Sequence, residues 1–259
     1  LPDYLVLNLQ FQCDKVHYAR FNANNVNGRI AYDDEQVKLN GLEFNTMDGD
    51  MKLSGDFKSI ANGNLRAKLD AKGTRIDIHK LFYQMGNFGQ DVLTHEHLDG
   101  NLNTDIKLSA EWDNNLNPQL GALNVQSHVT IKDGQLNNFK PIMKLAGLAD
   151  IEELKNLSFQ KLSNEVVIKK REIHIPKMDI NSNAFSMDFA GVHTFDNQVD
   201  YHLRINLSEL LFGKKADYEN EFGKVVHEDN GQMNLFVKMV GPANDPKIQY
   251  DRKAVMAKI

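Results

Sequence analysis

The strongest constraint on the fold is a period-two alternation of apolar and polar residues that returns in segment after segment. Successive side chains of a β-strand point to opposite faces, so this alternation predicts strands with one apolar and one polar face. It is clearest in "LVLNLQF" from Leu5, "LNTDIKLSA" from Leu102 and "MNLFVKM" from Met233. The sequence therefore predicts a mainly β protein.

The connections between these segments are rich in Asn, Asp and Gly, as in "MDGD", "WDNNLN", "KDGQ" and "DNGQ". Such residues favour tight turns, which predicts that most neighbouring strands form antiparallel hairpins. A short motif is repeated along the chain: Asx-Gly, then a polar and an apolar residue, then an alternating strand. Such a repeat is typical of a long β-meander. We expect one elongated β domain over 1–259, weakly divided into N-terminal repeats (1–116) and a C-terminal region (117–259).

The alternation changes phase once inside "VKLNGLEF", where the apolar positions change from odd to even numbers, which predicts a β-bulge at Gly41. Two segments have helical spacing instead, 77–92 and 139–156. The segment 207–226 begins with a candidate N-cap at Ser208 and predicts a short helix followed by a mobile loop. The predicted fold is a long, curved antiparallel sheet with two or three short helices.

The composition restricts the class of protein. Of the 259 residues 41% are hydrophobic and 25% are charged, with a net charge of -5, which excludes a disordered chain and gives no electrostatic case for nucleic acid. The sequence has no run of 18 apolar residues, and we expect it to be part of a longer protein. Cys13, the one cysteine, has apolar neighbours, and we interpret it as a packed or groove-lining thiol.

One pattern resembles a metal site. His95 and His97 flank Glu96, and on an extended strand both imidazoles would point to the same side. The other histidines are scattered singly, so a solvated entry into a turn is the favoured interpretation, and a zinc-dependent hydrolase is the least favoured of three hypotheses. A nucleophile elbow, a P-loop and the motif H-E-x-x-H are all absent. We expect no enzyme activity, no metal and no cofactor.

The apolar face of the strands is the remaining candidate site. Two alternatives are open, because a closed sandwich or barrel and an open groove alternate in the same way. In the closed form the protein is a structural or interaction module whose edge strands pair with those of a partner. In the open form the following residues line a groove for a lipid: Leu5, Leu7, Leu9, Leu65, Leu69, Leu102, Ile106, Leu108, Val125, Val129, Ile131, Phe185, Met187, Phe189, Leu203, Ile205, Leu235 and Val237.

A resemblance to a known family adds to this interpretation. From Asn117 onward the order of features is a strand, a "KDG" turn, a short helix, the strand "LSFQKL", a strand ending in "IPKMDINSN", then "FSMDFAGVHTFD" and "VDYHLRINLSELL". This order, closed by "GPANDPKIQYDRKAV", resembles the C-terminal region of the AsmA family of bacterial envelope proteins, which includes TamB-like and YhdP-like members. The resemblance covers about the last 140 residues, and the N-terminal half matches only as similar repeats.

The resemblance implies a taco-like sheet with an apolar interior, similar to bridge-like lipid transfer proteins. It also implies a periplasmic location, with an inner-membrane anchor formed by an N-terminal helix outside this sequence. The implied partners are phospholipid or another acyl-chain lipid, the inner and outer membranes through parts not in this chain, and envelope proteins. The implied function is lipid transfer between the two membranes, in support of outer-membrane assembly.

Overall fold

The structure is a computed structural model that describes residues 5–33, 35–143, 155–206, 208, 219–220, 223–224, 226–227 and 233–256. The first seven strands are β1 (Leu7–Tyr18), β2 (Phe21–Asp33), β3 (Gln36–Thr46), β4 (Gly49–Ser59), β5 (Leu65–Asp77), β6 (Leu98–Trp112) and β7 (Asn124–Asn137). The next four are β8 (Asn156–Lys169), β9 (Glu172–Asn181), β10 (Ser186–Thr194) and β11 (Gln198–Asn206). The last five are β12 (Glu219–Asn220), β13 (Gly223–Lys224), β14 (Val226–His227), β15 (Met233–Pro242) and β16 (Lys247–Tyr250).

Nearly all of these strands form one antiparallel sheet. Strands β1 to β11 lie side by side in chain order, β15 follows β11, and both β14 and β16 pair with β15. Within the described ranges the first and last strands do not pair, so the sheet is not closed into a barrel. The predicted fold class, a mainly β protein with a long, curved antiparallel sheet, is confirmed.

The sheet is bent by irregularities in strand pairing. The register between β3 and β4 shifts between Leu39 and Leu42, and Gly41 there has a φ of +63°. The bulge predicted at Gly41 is therefore present, and it keeps Leu39 and Leu42 on the same face although their numbers differ in parity. Further shifts occur between β5 and β6, β6 and β7, and β9 and β10.

Three short helices lie among the described residues: α1 (Ile78–Gln84), α2 (Lys140–Met143) and α3 (Arg252–Met256). Helix α1 begins where Asp77, its N-cap, accepts a hydrogen bond from the backbone N–H of Lys80. It occupies the first half of the predicted segment 77–92, and a 3₁₀ turn at Gly86–Gly89 follows it. Helix α3 was not predicted from the sequence.

Two sequence predictions fall largely outside the described residues. In the segment 139–156, α2 accounts for the first turn, whereas residues 144–154 of the predicted helical segment lie outside the described ranges. The same holds for most of 207–226, where Ser208 is described as a turn residue and the strands β12, β13 and β14 account for five positions.

The strand pairing continues across the weak division proposed near Asn117. Strand β6 precedes this position and β7 follows it, and the two pair from Leu98 opposite Leu136 to Ser109 opposite Asn124. One sheet therefore connects the N-terminal repeats with the C-terminal region.

Candidate apolar binding face

The register of the strands aligns apolar residues in rows that cross the sheet. Directly opposed residues of an antiparallel pair point to the same face. One row runs from β1 to β9 through Leu9, Ile30, Leu39, Gly55, Leu69, Leu108, Val125, Ile168 and Ile173. A second runs through Met178, Phe189, Leu203, Val237 and Tyr250 from β9 to β16. One face of the sheet is therefore apolar along its whole length.

Of the eighteen residues predicted to line a groove, all except Leu5 and Phe185 lie within strands and on this face. Leu5 precedes β1, and Phe185 lies in the turn that leads into β10. Their exposure divides them into two groups.

In strands β1 to β7, which we call the open half, most of the large apolar side chains keep contact with solvent, whereas Val26, Ala67 and Ile76 are buried. Leu7 is 39% exposed and Leu9 is 49% exposed. The predicted residues of the next strands are half-buried: Leu65, Leu69, Ile106, Leu108, Val125, Val129 and Ile131. Leu102 is the exception, because it is 7% exposed and packs with Met47 and Ile76. A ligand can reach this half of the face without first displacing a packed core.

In the C-terminal strands the same face forms a packed core, which we call the C-terminal cluster. Phe185, Met187, Leu203, Ile205, Leu235 and Val237 are all buried in it, and Leu235 and Val237 have no exposed surface. Ile142 of α2 and Leu157 of β8 join them, and Phe189 packs against them while partly exposed. These buried predicted residues contact protein atoms, so a lipid reaches them only if the cluster rearranges.

Helix α1 crosses one end of the open half. The side chain of Gln84 accepts a hydrogen bond of 3.0 Å from the backbone N–H of Asn22 in β2, and Arg20 lies 5.2 Å from the centre of the Tyr83 ring. Leu81 packs against Met47, Ile76 and Leu102 beneath it. The helix follows β5 in the chain and yet contacts the β1–β2 hairpin, so it covers the strand ends on this side.

The opposite face is polar, and many of its charges are paired across strands. Lys52 lies 2.7 Å from Glu43, Lys72 lies 3.7 Å from Asp105, and His128 lies 2.6 Å from Glu165. A depression of ≈ 480 Å³ on this face is lined by most of these residues. Because the lysines have carboxylate neighbours, the depression offers no unbalanced positive charge for an anion.

Among the residues whose burial is described, Asp251 is the most buried carboxylate, with 4% of its surface exposed. It accepts hydrogen bonds from His202 Nδ1 at 2.5 Å and from the backbone N–H of Ala254 at 3.1 Å. Burial raises the pKa of Asp251, but the hydrogen bonds and the nearby charge of Lys238 outweigh it and leave the pKa below its ordinary value of 3.8. The hydrogen bond between His202 and Asp251 thus connects β11 with the start of α3.

His95 and His97 are held by local hydrogen bonds. They lie in a 3₁₀ turn between α1 and β6, and both are half-buried. His97 Nδ1 accepts a hydrogen bond of 3.0 Å from the backbone N–H of Thr94, while the His95 backbone N–H donates to Asn87 Oδ1 at 2.9 Å. Across the part of the chain that the structure describes, no three His, Cys, Asp or Glu residues come together to hold a metal ion.

The structure adds apolar residues that the prediction omitted. Val37, Phe57 and Met51 lie on the open half of the face, in register with predicted residues or their neighbours. The signal for them was present, because the segments of β3 and β4 also alternate, although the bulge at Gly41 interrupts the pattern. Ile168 and Ile173 carry the row on into β8 and β9.

No protein-family model, no curated protein and no solved structure matches this chain. Among the helices that the structure describes, none is long and apolar enough to cross a membrane.

Proposed function

We propose that the protein binds acyl-chain lipid along the apolar face of its sheet and passes it between membranes. One observation carries this proposal: the row from Leu9 to Ile173 crosses nine strands, and every strand except β4, which contributes Gly55, supplies a partly exposed apolar side chain. Soluble proteins rarely leave a continuous apolar surface uncovered unless it binds something. An acyl chain suits such a surface, because it is also long and apolar and has no polar groups along its length.

The energetics of such a site are favourable. Each methylene group removed from water contributes about 0.8 kcal/mol, so an acyl chain of roughly 16 carbons gains on the order of 10 kcal/mol before the entropy of binding is subtracted. The described part of the row from Leu9 to Ile173 is lined by aliphatic side chains, so no polar side chain in it holds one position of the ligand strongly. A lipid headgroup remains in water at the open side while its chain lies on the strands, and the chain moves along the row without a large barrier.

The open half is the preferred site within the face. Leu39, Leu69 and Leu108 are half-buried and continue the row of Leu9, whereas Leu235 and Val237 at the other end of the sheet are enclosed by protein. Binding to the open half only requires that water be displaced. Binding to the C-terminal cluster also requires that side-chain packing be broken.

The wider context follows from the resemblance to the AsmA family and is part of the proposal. It assigns the chain to the periplasm, with phospholipid as the substrate class and the inner and outer membranes as donor and acceptor. Envelope proteins are further partners in this context, and no cofactor, metal or nucleic acid is involved.

Lipid capture by adjacent residues on opposite faces tests the proposal. A photo-crosslinking amino acid at Leu69 lies on the apolar face, and the same amino acid at Asp70 lies on the polar face of the same strand. We expect lipid to co-purify with the protein, and mass spectrometry to find a lipid adduct at position 69 and none at 70. The absence of both co-purified lipid and an adduct at 69 would overturn the proposal.

A second candidate function, an interaction module that pairs edge strands, is favoured by β1. This strand has 12 residues, and in the described part of the chain it pairs on one side only. Long unprotected edges are sites of strand addition. Because the sheet is open, the closed form of this alternative does not apply. N-methylation of alternate β1 backbone amides on the outer side abolishes strand addition and leaves lipid capture at Leu69 intact, which separates the two candidates.

A further inference from the structure

Four exposed apolar side chains lie along the strand ends that α1 covers. We call this side the helix rim; it contains the β1–β2 hairpin, the β3–β4 hairpin and α1 with its following turn. Tyr18 is 79% exposed, Phe88 60%, Tyr83 46% and Met85 36%. These four residues form what we call the rim patch.

The rim patch is held in place by specific contacts. Arg20 of the β1–β2 hairpin stacks over Tyr83, and Gln84 bonds to the Asn22 backbone, so the hairpin and the helix form one unit. Lys80 of α1 pairs with Asp48 of the β3–β4 turn. Phe88 packs its ring edge-to-face against Phe82 at a centroid distance of 5.2 Å. These contacts therefore hold the rings of Tyr83 and Phe88 in positions where they remain exposed.

The chemistry of the patch fits the surface of a lipid bilayer. Tyrosine is amphipathic and prefers the level of the lipid headgroups, where its ring is in an apolar and its hydroxyl in a wet environment. Phe88 and Met85 are apolar enough to enter the boundary between headgroups and acyl chains. Arg20 has no acidic partner within the described ranges and presents a cation to lipid phosphates.

The patch is also continuous with the apolar face. Leu81, two residues before Tyr83, packs against Ile76 and Leu102, which belong to that face. The rim patch therefore borders the apolar face, and Leu81 lies between the two. The opposite rim differs, because its turns carry Asn, Asp and Lys residues, and the apolar residues exposed in its longest loop are the aliphatic Leu116 and Leu120.

We propose that the rim patch (Tyr18, Tyr83, Met85 and Phe88 beside Arg20) docks this protein on a lipid bilayer surface and forms the rim over which lipid enters the apolar face. This inference rests on the proposed function for the entry of lipid, whereas the docking itself does not depend on it.

Co-sedimentation of the full chain with phosphatidylcholine vesicles and with phosphatidylglycerol vesicles tests the docking. The double variant Tyr83→Gln, Phe88→Gln is compared with the double variant Leu116→Gln, Leu120→Gln, which alters two residues of similar exposure on the opposite rim. We expect the rim-patch variant to lose about tenfold in vesicle affinity and the control variant to match the original protein. Failure of the original protein to bind either vesicle, or an equal loss in both variants, overturns the docking.

A fluorescence measurement keeps the test decisive even if the double variant folds poorly. Trp112, the one tryptophan, is replaced in the variant Trp112→Phe, and Phe88→Trp is then added as a reporter. We expect vesicles to shift the emission of this reporter to shorter wavelength and lipid-borne quenchers to reduce it. A Leu116→Trp reporter in the same background serves as the control, and an unchanged spectrum at position 88 overturns the docking.

Binding of a soluble fluorescent fatty acid distinguishes the two proposals. If the protein binds the monomeric fatty acid but not vesicles, the docking fails and the proposed lipid site stands. If it binds vesicles through position 88 but not the fatty acid, the docking stands and the proposed lipid site fails.

Discussion

The same alternation of apolar and polar residues gives a partly exposed apolar face in one half of this sheet and a packed core in the other. In strands β1 to β7 the apolar face is partly exposed, from Leu9 at 49% to residues such as Leu69 that are half-buried. In the strands from β8 onward much of the same face is packed with Ile142 and Leu157 into the C-terminal cluster, although Ile168 and Ile173 remain partly exposed. The difference teaches that alternation establishes which face is apolar but not whether that face becomes a core or a surface.

The stability of the two halves therefore has different sources. The C-terminal cluster gains from side-chain burial, as at Leu235 and Val237, which have no exposed surface. The open half depends more on the hydrogen bonds between long strands, such as the ten opposed positions between β4 and β5 from Asp50 to Ser59. Substitutions matched across the two halves test this contrast, and we order them by expected effect.

The largest effect is expected from Leu235→Ala in the C-terminal cluster. A leucine removed from a fully packed site leaves a cavity, and the free energy of unfolding falls by about 3–5 kcal/mol. The matched change Leu9→Ala in the open half removes a side chain that is already half exposed, and we expect a loss below about 1 kcal/mol. Urea denaturation of both variants measures the difference, and equal losses would contradict the contrast.

The backbone of a neighbouring strand lies so close to Gly55 that this glycine is a sensitive position of the open half. A Cβ added there would lie 2.1 Å from the carbonyl oxygen of Lys68, and its φ of +153° is unfavourable for other residues. We expect Gly55→Ala to lower the free energy of unfolding by about 2–3 kcal/mol. Gly121→Ala is the control, because nothing lies within 4 Å of its added Cβ. If the two alanine variants melt alike in calorimetry, the tight strand pairing inferred for β4 and β5 is wrong.

The Asp251 contact adds a pH-dependent element to the packed half. Because the pKa of Asp251 is lowered in the folded protein, its stabilisation is fully present above the ordinary pKa of 3.8 and is lost as the pH falls through the lowered value. We expect Asp251→Asn to reduce the free energy of unfolding by about 1–3 kcal/mol at neutral pH. The difference in the free energy of unfolding between the original protein and this variant should shrink below about pH 4. A difference that stays constant in denaturation curves from pH 7 to pH 2 would argue against the charge of Asp251 as its cause.

The smallest effect on stability, and a clear effect on function, is expected from Leu7→Asn combined with Leu9→Asn. Both residues are exposed, so the free energy of unfolding should change by less than about 1 kcal/mol. The polar amides interrupt the apolar row at β1, and the amount of co-purified lipid should fall. Gln10→Asn alters the opposite face of the same strand and should leave the lipid content unchanged, as mass spectrometry can check.

Local patterns in the sequence were sufficient for most of the sheet. The alternation around Leu65, Leu102 and Val125 predicts the strands that the structure contains, and the change of phase at Gly41 predicts its bulge. These predictions succeed because strand periodicity and turn chemistry are properties of neighbouring residues.

The candidate site was less predictable. Sixteen of the eighteen residues predicted to line a groove lie in strands on one face, and whether they line a lipid site stays a prediction. The burial of Leu203 and Val237 was not foreseen, because it depends on the packing of residues far away in the sequence. The contact of α1 with the β1–β2 hairpin is of the same kind, since Asn22 and Gln84 are separated by 62 positions. No pattern within either segment contains that information.

The sequence by itself determined the class of fold, the polarity of the two faces and the positions of most turns, because each of these follows from residues adjacent in the chain. Only the tertiary structure decided that the sheet stays open and where its apolar face is covered. It also decided that Tyr18, Tyr83 and Phe88 lie on one rim. Curvature and packing arise from contacts between distant segments, and alternation is identical in an exposed face and a buried one.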